Sequence, residues 1–177
     1  MHAPAGIGKV FLIGLMGSGK STVGKILADI LKWEFLDIDH EIETFAGCDI
    51  PSIFEDQGED GFRDYESQVL SKTSDLNNAI IACGGGIVTR EENVDFLQDH
   101  MTVWLDVSPA EAAARLENAT DRPLLSECKD TLKKLNEILQ ERMDAYTAAS
   151  FIQVKSDGRP PEHIASEIVK KLELIHD

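Results

Sequence analysis

Positive charge is what this sequence has least of. Seventeen Lys and Arg stand against 32 Asp and Glu, a formal net charge of −15 over 177 residues. A general nucleic-acid binder needs a basic face to displace counterions, and this balance argues against one. Small anionic ligands stay open, because a few cations focused in a cleft bind them locally. Cysteine is scarce too. Cys48, Cys83 and Cys128 form no CxxC pair and cannot all pair internally, which predicts reduced thiols and a cytoplasmic protein. The five histidines lack metal-ligand spacing, which argues against a zinc site. No apolar run approaches the roughly 18 residues of a membrane span. The stretch from Met1 to Lys9 lacks the charged start that leads into a cleavable signal core. No repeat and no low-complexity tract is visible, and no apolar extra segment suggests a partner chain, so a monomer is expected.

What is present is a soluble globular mix, 42% apolar and 28% charged, of single-domain length and able to bury a full core. Apolar runs at Lys9 to Ile13, Trp33 to Leu36, Ala79 to Cys83, Met101 to Leu105 and Phe151 to Val154 predict five buried strands. Between them the periodicity is helical. Helices are predicted from Ser21 to Lys32, Asp39 to about Phe45, Ile53 to about Leu70, Asp130 to about Thr147 and Pro161 to His176, with Gly47 and Pro51 as breaks. Thr89-Arg90-Glu91-Glu92 and Ser108-Pro109-Ala110-Glu111 read as capping boxes that open two further helices, and residues 118 to 128 as a polar loop. Strands and helices in alternation imply right-handed crossovers and an α/β fold, a parallel sheet with helices on both faces. Ligands of such sheets bind at the carboxyl ends of the strands.

The first strand runs into Gly14-Leu15-Met16-Gly17-Ser18-Gly19-Lys20-Ser21, which fits the phosphate-binding pattern G-x-x-x-x-G-K-[ST]. The pattern sits in its required context, with a buried strand before it and an amphipathic helix after it. Its glycines let backbone N–H groups turn around phosphate oxygens, and the helix that follows presents its positive end. Lys20 is placed to reach the β- and γ-phosphates, and the Ser21 hydroxyl to ligate magnesium. The loop alone predicts a nucleoside-triphosphate binder. The guanine-reading Asn-Lys-x-Asp is absent, and the chain leaves little room for motor machinery, so a small-molecule kinase is favoured.

Asp37-Ile38-Asp39 ends the second strand. Two carboxylates at this spacing can both face the cleft, one near a metal and one near a substrate hydroxyl, although Asp39 is equally readable as a helix cap. Asp106 ends the fourth strand as a Walker B residue would, or orders the turn before Ser108. The chain holds six arginines. Their planar forks suit carboxylate and phosphate, whereas for any one of them a surface ion pair is the ordinary reading.

Taken together, these strings resemble shikimate kinase. The resemblance rests on Gly-Leu-Met-Gly-Ser-Gly-Lys-Ser-Thr, Phe35-Leu36-Asp37-Ile38-Asp39, Gly58-Glu59-Asp60-Gly61-Phe62-Arg63-Asp64-Tyr65-Glu66, Gly84-Gly85-Gly86, Arg122-Pro123-Leu124-Leu125, and Arg142 with Tyr146. It runs from about Lys9 to the last helix. It implies a single domain over residues 1–177 with the P-loop nucleoside-monophosphate-kinase-like fold, an acid-binding region at about 37–66 and a mobile lid at about 118–128. It further implies phosphorylation of the shikimate 3-hydroxyl by ATP with one Mg²⁺, a step of chorismate and aromatic amino acid biosynthesis. By this resemblance Asp39, Arg63, Gly84, Gly85, Gly86 and Arg142 hold shikimate, with Phe54 and Phe62 lining its pocket. Gly17, Ser18, Gly19, Lys20, Ser21 and Thr22 hold the nucleotide phosphates, and Ser21 and Asp37 place the metal. Arg115, Arg159 and Pro161 sit on the adenine side, and Arg122 reaches over the transferred phosphate, making Lys20, Asp39 and Arg122 the catalytic set. Asp106 gains no role. The sequence departs from the family in Met143-Asp144-Ala145 after Arg142, where members often carry Pro and Leu before the Tyr. Cys83 reads as a small buried residue with no histidine partner for thiol chemistry. The alternatives are another small-acid kinase of the gluconate kinase type, and a non-catalytic relative that binds nucleotide or shikimate.

Overall fold

The computed structural model describes residues 7–117 and 130–176. The expected lid at 118–128, with Arg122 and Cys128, lies outside the described residues. The described chain forms β1 (Lys9–Ile13), α1 (Lys20–Leu31), β2 (Glu34–Asp37), α2 (Ile38–Ala46), α3 (Ile50–Lys72) and β3 (Ala79–Ala82). These are followed by α4 (Glu91–Gln98), β4 (Thr102–Asp106), α5 (Pro109–Leu116), α6 (Thr131–Ala149), β5 (Ile152–Lys155) and α7 (Pro161–His176). The five strands pair in parallel in the order β2-β3-β1-β4-β5.

Strand alternation divides the core in two. On one face Phe11, Ile13, Ile81 and Trp104 pack with Ile53, Phe62, Leu97 and Tyr146 from α3, α4 and α6. On the other face Val10, Leu12, Ile80 and Val103 pack with Val23 and Leu27 of α1 and with Ile164, Ile168 and Leu172 of α7. A third cluster, with Leu15, Met16, Val107, Leu116 and Ile138, supports the loop after β1. The chain leaves β1 toward β2 and leaves β4 toward β5, in opposite directions along the sheet. The crevice therefore opens at the carboxyl end of β1, where such sheets bind ligands.

Several local expectations are corrected. Pro51 does not break a helix; it occupies the first turn of α3, where its missing N–H costs nothing, and Asp49 caps that helix by accepting from the Ser52 N–H. Thr89 is not the cap of α4, because its hydroxyl is turned back to the Gly86 carbonyl at 2.8 Å. The turn before Ser108 is ordered by Asp157, which accepts from the Ser108 N–H, while Asp106 pairs with Lys155 and Gln153. Ser108 does cap α5, as its sequence predicts.

The long helix α3 is broken inside by Gly58, at φ 69° and ψ −171°. This backbone region is essentially closed to residues with a Cβ. In a straight helix, residues eight apart are separated by about 12 Å along the axis. Here the rings of Phe54 and Phe62 lie 4.9 Å apart, because the break folds the first segment of α3 back over the second.

Candidate active site

Lys20 closes the loop after β1 from within. Its ammonium group donates to the carbonyls of Gly14 at 2.8 Å and Leu15 at 2.9 Å and to the Ser18 hydroxyl at 3.2 Å, and it is 9% exposed. No side chain caps α1, whose N-cap Gly19 is left-handed. The backbone N–H groups of its first turn thus face the loop, an arrangement that fits phosphate oxygens.

Asp37 stands where β2 becomes α2, and its two carboxylate oxygens serve different groups. One accepts from the Asp39 N–H at 3.1 Å and caps α2; the other accepts from the Ser21 hydroxyl at 2.6 Å. Asp39 is therefore not the cap, which decides that question left open by spacing. Asp39 lines a cleft of about 860 Å³ together with Gly17, Gly19, Lys20, Ser21, Thr22, Asp37, Gly84, Gly85 and Arg115. The structure thus places Asp39, Gly84 and Gly85 at the same opening as the phosphate loop.

Two arginines are buried near Glu66, one of them against Gly86. Arg63 is 5% exposed and Arg142 is 8% exposed. Arg63 donates from Nη1 to Glu66 at 2.5 Å and from Nη2 to Glu59 at 2.9 Å, and stacks over the Phe62 ring. Burial by itself lowers its proton affinity, but the two glutamates outweigh it and hold Arg63 charged. Glu66 is fully buried, and that burial pushes its carboxyl up despite Arg63, with Asp39 adding repulsion. Arg63 Nε, Arg142 Nη1 and Glu66 Oε1 are buried without a hydrogen-bond partner among the described residues. Orphaned buried polar atoms are costly, and two guanidinium nitrogens left so in one region suit an anionic ligand.

The glycine triplet after β3 explains itself by contact. A Cβ on Gly84 would lie 2.7 Å from Glu66 Oε1 and 3.1 Å from Asp39 Oδ1, and one on Gly86 would overlap the Arg63 guanidinium. Gly84 and Gly85 line the cleft, whereas Gly86 backs onto Arg63 behind it. Phe54, Phe62, Arg63 and Arg142 are not among the residues that line the cleft itself.

A separate recess of about 400 Å³ adjoins the phosphate loop. It joins Ser18 and Thr22 to Arg115, Arg159 and Pro161. Arg115 donates to the carbonyls of Gly17 and Ser156 and pairs with Glu111, so it ties the phosphate loop to the β5–α7 connection. Arg159 pairs with Glu167. The ordinary surface-pair reading holds for Arg90, which meets Asp64 and Glu92. Burial pushes the Cys83 thiol up, so it stays protonated and inert.

Sequence reasoning quoted Glu66 and Tyr146 without giving them work. Their burial is the missing signal: both are inaccessible, and both touch the arginine–glycine region. His40, Glu43 and Asp49 also line the cleft, and nothing in their spacing announces it. Among the described residues no group of three or more His, Cys, Asp or Glu could hold a metal by itself, and no helix is long and apolar enough to cross a membrane.

The shikimate kinase of Rippkaea orientalis (strain PCC 8801 / RF-1) is 44% identical over 166 residues, covering 94% of this chain and 88% of that protein. The solved shikimate kinase from Acinetobacter baumannii in complex with shikimate superposes with a TM-score of 0.91 at 34% identity, covering 94% of this chain and 93% of that one. A gluconokinase from Sinorhizobium meliloti shares the fold alone, with a TM-score of 0.64 at 18% identity, covering 99% of this chain and 95% of that one. The family model described as shikimate kinase matches residues 16–173. A phosphate loop, a paired Ser21–Asp37 and two buried arginines behind a glycine triplet thus stand in a chain that belongs to the shikimate kinase family.

Proposed function

We propose that this chain transfers the γ-phosphoryl group of ATP to the 3-hydroxyl of shikimate, giving ADP and 3-phosphoshikimate. The observation that supports the acceptor is a pair of buried arginines with orphaned nitrogens, one of them packed against Gly86, next in the chain to the two glycines that line the phosphate-loop cleft. A ring acid that bridges them has its carboxylate at Arg63 and Arg142. Its hydroxyls then face Asp39, and the acceptor oxygen faces Lys20. The apolar ring edge meets Phe54 and Phe62.

Phosphoryl transfer asks for positioning and charge neutralisation rather than covalent work by the protein. Asp39 orients the 3-hydroxyl and accepts its proton as the new P–O bond forms and the bond to the β-phosphate oxygen breaks. Lys20 and the first-turn N–H groups of α1 balance charge on the phosphates. Arg122, outside the described residues, adds a second cation by the Arg-Pro-Leu-Leu string alone. Ser21 and Asp37 offer a hydroxyl and a carboxylate 2.6 Å apart. That hard-oxygen pair suits Mg²⁺, which takes one or two protein oxygens and completes its shell with phosphates and water. When bound there, the ion neutralises phosphate charge. Arg115, Arg159 and Pro161 hold the adenine side. We place it in the cytoplasm, where the free thiols of Cys48 and Cys83 stay reduced.

The test is a coupled ADP-release assay with Mg-ATP and, in parallel, shikimate, quinate, gluconate or no acceptor. Strong turnover with shikimate alone is expected. Turnover with gluconate instead would overturn the acceptor assignment, and no stimulation by any acceptor in protein that still binds ATP would mark a non-catalytic relative.

A further inference from the structure

Tyr146 is the largest side chain that is wholly buried in this molecule, and it ends in a hydroxyl. That hydroxyl is not idle. It donates to the Gly85 carbonyl at 2.5 Å, across 61 residues of sequence, and the Arg142 guanidinium lies close enough to act on the same hydroxyl electrostatically. Arg142 and Tyr146 are four apart on α6, so they share one helix face. The ring lies stacked on Trp104 of β4, with centroids 5.6 Å apart and planes at 23°. A stacked ring in a close-packed core has little freedom, so its hydroxyl is a fixed point.

Two parts of the acid end hang from that point. The first is the glycine turn, whose Gly84 approaches Glu66 and Asp39 and whose Gly86 rests on the Arg63 fork. The second is Arg142, whose Nη1 is buried and unpartnered among the described residues. A long arginine side chain braced by a fixed neighbour on its own helix face retains its aim; without that brace it has the buried Glu66 nearby as a partner.

We infer that Tyr146 is a positioning residue for the acid end of the cleft, its single hydroxyl holding the Gly85 peptide and the Arg142 fork in one frame. The inference rests on the proposed role of Arg142 as a carboxylate clamp. Burial keeps this hydroxyl protonated, with its proton affinity pushed up to about 12, so it remains a donor to Gly85 at every working pH.

The experiment compares wild type, Tyr146→Phe and Arg142→Ala with two acceptors, shikimate and its methyl ester. An ordinary hydrogen bond such as that from Tyr146 to Gly85 is worth up to about tenfold in binding. Tyr146→Phe is expected to raise KM for shikimate about tenfold. Its kcat and its KM for ATP should stay near wild type, and the ester should suffer little. An equal penalty on acid and ester, or an equal loss in kcat and in ATP, would reduce Tyr146 to a packing residue. Trp104→Phe, which disturbs the stack and spares the hydroxyl, is expected to lower Tm with no split between acid and ester; the same split there overturns the inference.

A second measurement does not depend on the Phe variant folding. The chain has two tyrosines, so fluorotyrosine incorporated into Tyr65→Phe reports on Tyr146 alone. Its ¹⁹F resonance should move with shikimate and not with the ester, and an unmoved resonance overturns the inference. If Arg142→Ala itself fails to separate acid from ester, the clamp reading has failed. If Arg142→Ala separates them and Tyr146→Phe does not, the Tyr146 inference alone has failed.

Discussion

Replacing Gly86 by alanine adds one methyl group and no backbone strain, since Gly86 sits at φ −96° and ψ 6°, open to any residue. The methyl would land on both Nη atoms and the Cζ of Arg63. A flexible arginine on a surface would step aside at little cost. Arg63 is 5% exposed, bonded to Glu66 at 2.5 Å and Glu59 at 2.9 Å, and stacked over Phe62 at 5.2 Å. Moving it strains its contact with Glu66, which is fully buried. Overpacking alone costs about 1 to 3 kcal/mol. Losing one partner of a buried ion pair costs about 3 to 5 kcal/mol. The pair can shift partly together, so a loss of about 2 to 3 kcal/mol is expected. For a chain of this size that is a fall in Tm of about 4 to 12 °C. The same displacement misaims the fork, and KM for shikimate should rise at least about tenfold, as for a lost charge-assisted contact. Binding of ATP, at the other end of the cleft, should not change. Thermal melts and steady-state kinetics with each substrate varied in turn give all three numbers. A variant with wild-type Tm and wild-type KM for shikimate would refute the reasoning, because it would mean that the glycine is not required by the arginine behind it.

Lys20→Ala should cut turnover about a hundredfold to a thousandfold with the fold retained by circular dichroism, and near-normal turnover would remove Lys20 from the phosphate site. Gly58→Ala forces a Cβ into a glycine-only region at a cost of about 1 to 3 kcal/mol. It should pull Phe54 away from Phe62, so that denaturant melts show lower stability and KM for shikimate rises; an unchanged KM would separate the α3 break from the acid pocket. Alkaline unfolding reports on Tyr146, whose hydroxyl, pushed up by burial from 10.0 to about 12, favours the protonated form in the fold. Its contribution is complete below pH 10.0 and is lost as pH rises toward about 12. The stability difference between wild type and Tyr146→Phe should therefore shrink over that window, by up to about 2 to 3 kcal/mol, and a difference flat with pH would contradict the buried, donating hydroxyl.

The sequence by itself determined the phosphate loop, the five strands and the carboxylate at each relevant strand end. Each of these is set by neighbours along the chain. Glycines and Lys20 act within eight residues, strand alternation repeats every second residue, and Ser108 caps a helix three residues away. Errors at this level came from local signals that tertiary contacts outbid. Pro51 reads as a break, yet with Asp49 as the cap it stands in the first turn of α3. Thr89 turns its hydroxyl back to donate to the Gly86 carbonyl instead of accepting from an N–H of α4.

Only the tertiary structure decided how charge is distributed at the acid end. The sequence places Arg63 beside Glu59 and Glu66 but does not say that Glu66 is wholly buried, or that Arg63 keeps Nε unpartnered. It places Tyr146 on α6 and Gly85 after β3, and gives no hint that one hydroxyl joins them. Desolvation and side-chain aim depend on which elements close over a residue, and those elements are 20 to 80 positions away in the chain. The chemistry of a phosphate loop is local and therefore written in a string, whereas a buried carboxylate-binding pair is a property of packing.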